Sequence, residues 1–309
     1  MAIALISHPD CALHRTALHH PENADRLDAI RDRLLASGLD QALLHYDAPL
    51  ATRSQLQRVH DAAYLDWIET STPLDDSMVC LDGGETVMTR HSLAAALRAA
   101  GAGVLAVDLV LKGEAHSAFC CVRPPGHHAE RNRAMGFCIF NNVAVAAAHA
   151  LEDHGLERVA IIDFDVHHGN GTEQIFADEP RVLFCSSFQH PFYPWTGHEA
   201  ESANLVDIPL PAGARGGTVL EAIDQHWLPA LDEFEPELIL VSAGFDGHLE
   251  DEMSDTELID RDYACITRRI VEVARRHARG RIVSCLEGGY SLSALGRSVA
   301  VHLHELLEA

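Results

Sequence analysis

VAIIDFDVHHGNG, residues 159–171, is the stretch that decides the fold. Val159–Phe164 is a short run of β-branched and aromatic residues, interrupted only by Asp163, and too apolar for a strand that faces solvent. The chain then turns polar at once, with Asp165, His167, His168 and Asn170 among small residues. In α/β sheets, ligands bind beyond the carboxyl ends of buried strands, and this segment reads as one such end. Carboxylates held there are removed from water and need a partner.

Working outward, the same pattern recurs. Ala2–Ile6, Ala118–Val122, Val182–Ser186, Leu238–Ala243 and Arg281–Leu286 read as further strands. Helices are predicted over Pro21–Ser37, Thr86–Lys112, Asn141–His154, Gly217–Phe234, Thr256–Ala278 and Ser291–Leu307, several of them stopped by Gly or opened by Pro or Asn. Strands alternating with helices predict an α/β fold with a mostly parallel sheet and helices on both faces, a three-layer arrangement. No linker, repeat or low-complexity tract divides residues 1–309, so one catalytic domain is expected.

Four predicted strand ends carry the chemistry. Ala118–Val122 runs into RPPGHH, which ends in His127 and His128. Val159–Phe164 runs into Asp165, His167 and His168, Leu238–Ala243 into Gly244, Phe245 and Asp246, and Arg281–Leu286 into Glu287, two glycines and Tyr290. Asp163, Asp165 and His167 alternate, so in an extended chain they point to one side. Asp165 and His167 then reach one metal ion, and Asp246 completes a set of one His and two carboxylates. That set leaves an open position, as a catalytic zinc requires; it suits Fe2+ equally. His127 and His128, on a stiff Pro-Pro-Gly turn, are placed to flank an activated water, one taking its proton and the other holding charge. Tyr290, after two glycines, is placed to donate to a developing oxyanion.

The bulk composition narrows the class. Hydrophobic residues make up 47% of 309 residues, enough for a large core. The best membrane-span candidate, Ala94–Leu111, contains Arg98 and Asp108 and reads as a core helix. The N-terminus lacks a basic stretch followed by an apolar run, so a cytoplasmic protein without membrane contact is expected. Eight cysteines at irregular spacing, none in a C-x-x-C pair, read as free and mostly buried thiols. A net charge of −23 argues against direct binding of nucleic acid and is compatible with a cationic substrate. Homo-oligomerisation is left open.

RPPGHH at 123–128, GFC at 136–138, DFDVHHGNGT at 163–172, SAGFD at 242–246 and LEGGY at 286–290 resemble, in order and spacing, the signature set of histone deacetylases. The resemblance runs from HPENADRL at 20–27 to the last helix. It implies the arginase–deacetylase fold and Zn2+-dependent removal of an acyl group from an amine. By position, Asp165, His167 and Asp246 resemble the zinc ligands. His128 resembles the general base, His127 its charged partner, Asp163 the acceptor behind His127, and Tyr290 the oxyanion donor. Gly136, Phe137 and Tyr193 fall where the family has the walls of a narrow acyl-lysine tunnel. Asp163, Asp165 and Ser186, with the carbonyls of His167 and Ser187, match a K+ site beside the zinc.

Two departures from the class I pattern look like class II enzymes and their bacterial relatives: Asn170 in place of Asp, and Glu287 in the glycine-rich turn. Asn170 cannot act as a negative partner, so His128 is expected to be less basic. Polyamine-selective relatives carry a Glu at the tunnel mouth; the matching position here is Met253, which favours an acylated lysine in a peptide or protein. Glu250, Asp251 and Glu252 lie beside it and keep an acetylated polyamine as the alternative. An arginase-like binuclear manganese hydrolase would need a second Asp shortly after Asp246, where Gly247 and His248 stand instead. A non-catalytic acyl-binding protein would lack a ligand or Tyr290, and neither is missing.

Overall fold

The computed structural model describes residues 2–197 and 202–308. Among the described residues ten strands form: β1 (Ile3–Ser7), β2 (Leu43–Asp47), β3 (Val79–Cys80), β4 (Val87–Met88), β5 (Ser117–Cys120), β6 (Val159–Asp163), β7 (Val182–Gln189), β8 (Leu205–Leu210), β9 (Leu238–Ala243) and β10 (Ile282–Leu286). Eight of them make one sheet in the order β2-β1-β5-β10-β9-β6-β7-β8, with every neighbouring pair parallel. β3 and β4 form a separate antiparallel ribbon.

The strands in the middle are apolar on both faces because a helix layer covers each. Every residue of β5, β6, β9 and β10 is buried. One face packs the Ser92–Leu111 and Asn142–Glu152 helices, whose alanines allow close approach. The other packs Asp25–Ser37, Asp260–His277 and Leu292–Leu307 around Trp227, Tyr263 and Phe119. Full burial of each large apolar side chain contributes roughly 1.5–3 kcal/mol, so the two layers hold the sheet edge rigidly. The Ser92–Leu111 helix is long and apolar enough to span a membrane, yet here it lies mostly buried against the sheet.

The departures from expectation lie at edges and ends. β2 and β8, the two edge strands, were not expected; they carry exposed or half-exposed residues, and their apolar signal is weak. The helix expected from Pro21 starts at Asp25, because residues 20–24 make a turn in which His20, Glu22 and Asn23 bond locally. The helix expected from Thr86 starts at Ser92, since Val87–Met88 pairs in the small ribbon. The helix expected from Thr256 starts at Asp260. The helical stretch from Gly216 to Phe234 is broken by a π turn at Ile223–Trp227, which turns Trp227 into the core. All eight cysteines are free, six of them buried; Cys80 is exposed and Cys265 half-buried.

Candidate active site

The four strands whose ends carry acids and histidines are contiguous in the sheet: β5, β10, β9 and β6. Parallel pairing brings their carboxyl ends to one edge. There, a pocket of about 530 Å³ opens, lined by His127, His128, Gly136, Phe137, His167, Tyr193, Met253 and Tyr290, with Gly84, Glu85, Asp82 and Arg133 also in the wall.

At its floor stand Asp165, His167 and Asp246, all buried. His167 Nδ1 lies 3.0 Å from Asp165 Oδ1 and 3.1 Å from Asp246 Oδ2. The three ligand atoms lie within 4.8 Å of one another. Strand alternation does not achieve this, contrary to expectation. β6 ends at Asp163, and residues 165–167 form a bend in which Asp165 Oδ1 accepts the His167 backbone N–H at 2.9 Å. The bend gathers Asp165 and His167 toward Asp246, and Asp163 faces His127 instead.

This donor set fits a divalent cation: an imidazole nitrogen and two carboxylates, each also tied from behind. Asp246 Oδ1 accepts from the Val166 N–H at 3.0 Å and Asp165 Oδ2 from the Gly288 N–H at 2.8 Å. Gly288 must lack a side chain, because a Cβ there would stand 1.9 Å from Asp246 Oδ2. Burial opposes charge on His167, but its hydrogen bonds to Asp165 and Asp246 raise its pKa to about 10 in the metal-free protein. A proton held between the two carboxylates marks the place where a cation is wanted, and binding a metal there must release it.

The two histidines of the RPPGHH turn have rings 4.0 Å apart and opposite electrostatics. His127 Nδ1 is 2.9 Å from Asp163 Oδ2, and its Nε2 is 3.8 Å from Asp165 Oδ2. Burial opposes its charge, yet Asp163, Asp165 and Glu287 together raise its pKa well above the usual imidazole range. His128 lies on the other side of the balance. Burial, the positive charge of His127 and that of His167 push its pKa well below normal, against weaker help from Asp165 and Asn170. His128 Nδ1 meets Asn170 Oδ1 at 2.8 Å. The Asn170 amide is oriented by donating to Glu130 Oε1 at 2.9 Å, so its oxygen must face the imidazole. His128 therefore carries its proton on Nδ1 and leaves Nε2 bare. Gly136, at φ +55°, packs flat on this ring, where a Cβ would come 2.2 Å from His128 Cδ2.

Tyr290 lines the pocket edge-on to Phe137, with ring centroids 6.0 Å apart. Burial, and then Asp246, hold its hydroxyl pKa well above normal, so it stays a donor. Tyr193 stands edge-on to His128 at 5.2 Å. Ser186, the register neighbour of Asp163 across β6 and β7, is buried, and its hydroxyl has no hydrogen-bond partner among the described residues. Ser187 is buried beside it.

Several supporting residues escaped sequence reasoning. Glu287 accepts the Gly126 N–H at 2.6 Å, the His127 N–H at 3.2 Å and the Ser242 hydroxyl at 3.2 Å, so it ties β10 to the histidine turn; burial raises its pKa to about 7. Arg26 donates to the carbonyls of Glu287 and Gly289 (the latter at 2.7 Å) and lies 5.0 Å from the Tyr290 ring. Glu22, buried between Arg26 and Arg123, pairs with both. Asp251 accepts the backbone N–H groups of Tyr290 at 2.6 Å and Ser291 at 2.9 Å. The available signal was HPENADRL: two charges spaced i and i+4, Glu22 and Arg26, both buried.

Residues 20–306 match the family model of the histone deacetylase domain. Histone deacetylase 14, chloroplastic, of Arabidopsis thaliana is 36% identical over 323 residues, covering 98% of this chain and 76% of that protein. Polyamine deacetylase HDAC10 of Homo sapiens is 36% identical over 326 residues, covering 99% of this chain and 48% of that protein. Among solved structures, the crystal structure of the HDA15 HD domain superposes with a TM-score of 0.91 at 31% identity, over 100% of this chain and 90% of that one.

Proposed function

The chain belongs to the histone deacetylase family of hydrolases, and from that premise we propose that it is a Zn2+-dependent amidohydrolase that removes an acetyl-type acyl group from the ε-amine of lysine in a peptide or protein. Asp165, His167 and Asp246 are the proposed zinc ligands. The bound ion supplies Lewis acidity to the amide carbonyl oxygen and to water. K+ is proposed nearby on Asp163, Asp165 and Ser186 with the carbonyls of His167 and Ser187; the orphaned hydroxyl of Ser186 supports it.

The protein residues divide the proton work. His128, neutral with a bare Nε2, takes a proton from the attacking water and hands it to the departing amine. Asn170 fixes the tautomer that makes this possible. His127, held as an imidazolium by Asp163, keeps a positive charge beside the reacting carbonyl without titrating through the cycle. Tyr290 donates a hydrogen bond from its hydroxyl to the carbonyl oxygen as negative charge builds there. Phe137 and Tyr193 flank the acyl-lysine chain with apolar surface and keep water from the floor.

One observation carries the preference for lysine over a polyamine. Of the Glu250–Met253 stretch, Met253 lines the pocket, while Glu250 is drawn to Arg297 at 2.7 Å and Asp251 is spent on backbone N–H groups. Two of the three acids beside Met253 in that stretch are therefore tied down elsewhere. An acetylated polyamine remains the second reading, because Asp82 and Glu85 stand in the wall. The test is kcat/KM of the zinc-loaded enzyme on an acetyl-lysine peptide and on N-acetylputrescine side by side. Preference for the peptide is expected. Preference for acetylputrescine transfers the enzyme to the polyamine reading, and metal analysis of the active preparation separates Zn2+ from Fe2+.

A further inference from the structure

The bend that carries His167 into the pocket turns its neighbour, His168, to different surroundings. His168 packs against Phe188 and Phe184, with ring centroids at 4.6 and 6.5 Å, and meets two acids there. Glu173 comes from the Asn170–Phe176 helix and Asp207 from β8. His168 Nε2 lies 2.8 Å from Glu173 Oε2 and 3.7 Å from Asp207 Oδ1. The three side chains offer ligand atoms within 4.8 Å of one another.

From this geometry we infer that His168, Glu173 and Asp207 form a second site for a divalent first-row transition-metal ion, separate from the pocket. The His168 side chain is 1% exposed, and its Nε2 completes no hydrogen bond among the described residues. The same holds for Glu173 Oε2 and Asp207 Oδ1. Three buried polar atoms thus converge on one point, joined there only by the contacts of His168 with the two acids, and an ion between them would satisfy all three. On the far side of the ring, His168 Nδ1 meets Thr196 Oγ1 at 2.8 Å. With Nδ1 donating to that hydroxyl, release of the Nε2 proton leaves a lone pair for a metal ion, and Thr196 supplies the outer hydrogen bond typical of metal-bound imidazoles.

Charge and spacing agree. Neither acid pairs with a lysine or arginine among the described residues, so a single histidine, its pKa raised against burial to about 9 by Asp207 and Glu173, faces two carboxylates and leaves negative charge over. A divalent ion cancels it. Ligand bonds of about 2.0–2.2 Å in a tetrahedral site put neighbouring donor atoms roughly 3.3 Å apart, and the observed 2.8 and 3.7 Å bracket that. The site would clasp the bend after β6, the following helix and edge strand β8. Its role is therefore structural: it steadies from outside the bend that presents Asp165 and His167. The inference stands whether or not the proposed lysine specificity holds.

The test counts metal. The full chain is equilibrated with micromolar free Zn2+, and bound zinc is measured by mass spectrometry alongside the melting temperature. Two zinc ions per chain are expected in the wild type, and one in Asp207→Asn and in Glu173→Gln, with a lower Tm in zinc for each. His154→Gln, which disturbs the separate Asp108–His149–His154 cluster, should keep both ions. A single zinc in the saturated wild type overturns the inference regardless of how the variants fold. So does a second zinc that survives both substitutions, or one that leaves with His154.

Discussion

The floor and the rim of the pocket are built by different means. At the floor, His127, His128, Asp163, Asp165, His167 and Asp246 sit at the ends of three central strands, β5, β6 and β9, are all buried, and each has a named hydrogen-bond partner. At the rim, Gly84, Glu85 and Arg133 are exposed, and Asp82, Phe192, Tyr193 and Met253 are half-exposed; all sit on loops or turns. The floor is over-determined, so a side chain there moves only if the sheet moves. Apart from Phe192 and Tyr193, whose rings pack on His167 and His128, the exposed rim side chains change without disturbing what lies below. Reaction chemistry and substrate choice are thus separable in this molecule, and substitutions at the two levels should fail in different ways.

The largest effects belong to the floor. Asp246→Ala removes one of two carboxylates that hold His167 and should abolish zinc binding and turnover together. Metal content after gel filtration and turnover on an acetyl-lysine peptide read both; a variant that kept its zinc and its rate would remove Asp246 from the proposed ligand set. Tyr290→Phe should keep the metal and lower kcat by roughly 10²–10³-fold, the usual worth of one oxyanion donor. A loss of metal in Tyr290→Phe would instead make the residue a support for the floor.

Asn170 gives a smaller and more diagnostic effect, a displaced pH limb. His128 must be neutral to accept a proton, so activity falls as pH drops through its pKa. Burial and the neighbouring positive charges hold that pKa well below normal, which puts the acid limb of kcat/KM below the ordinary imidazole range. Asn170→Asp places a carboxylate on Nδ1 and favours the charged ring. The acid limb should then move up by roughly one to three pH units, with the alkaline limb unchanged. A wild-type acid limb at unusually high pH, or one that Asn170→Asp leaves in place, contradicts the neutral-base assignment of His128.

The same division explains what the sequence disclosed. The central strands announce themselves as apolar runs because both faces are covered, and the floor residues follow each run directly. β2 and β8 stayed hidden because an edge strand is half-exposed and needs no continuous apolar run. The grouping of Asp165 with His167 was legible from spacing, but its cause, a bend and not a pleat, was not. Glu22, Arg26 and Glu287 were illegible as supports, since their partners lie 100 or more residues away in sequence: Arg123 for Glu22, Gly289 for Arg26 and Gly126 for Glu287. The rim was the least readable. Nothing in the residues 250–253 tells that Glu250 is drawn off by Arg297 while Met253 turns to the pocket.

The smallest effect expected is therefore at Met253, and it should sharpen the contrast most. Met253→Glu puts a carboxylate into the rim and leaves every floor contact intact. Zinc content and the pH profile should be unchanged, and the loss of kcat/KM on the acetyl-lysine peptide should be modest. What should move is the ratio between substrates: N-acetylputrescine carries a free ammonium that the new carboxylate attracts, worth about 1 kcal/mol or less for a partly solvated pair, or up to about fivefold. The gain should appear in KM and shrink with added salt, as an interaction across solvent must. If the peptide rate collapses with the metal still bound, the rim takes part in the chemistry and the two levels are not separable. If the ratio does not move, Asp82 and Glu85 already set the field at the mouth, and the choice between lysine and polyamine rests with them.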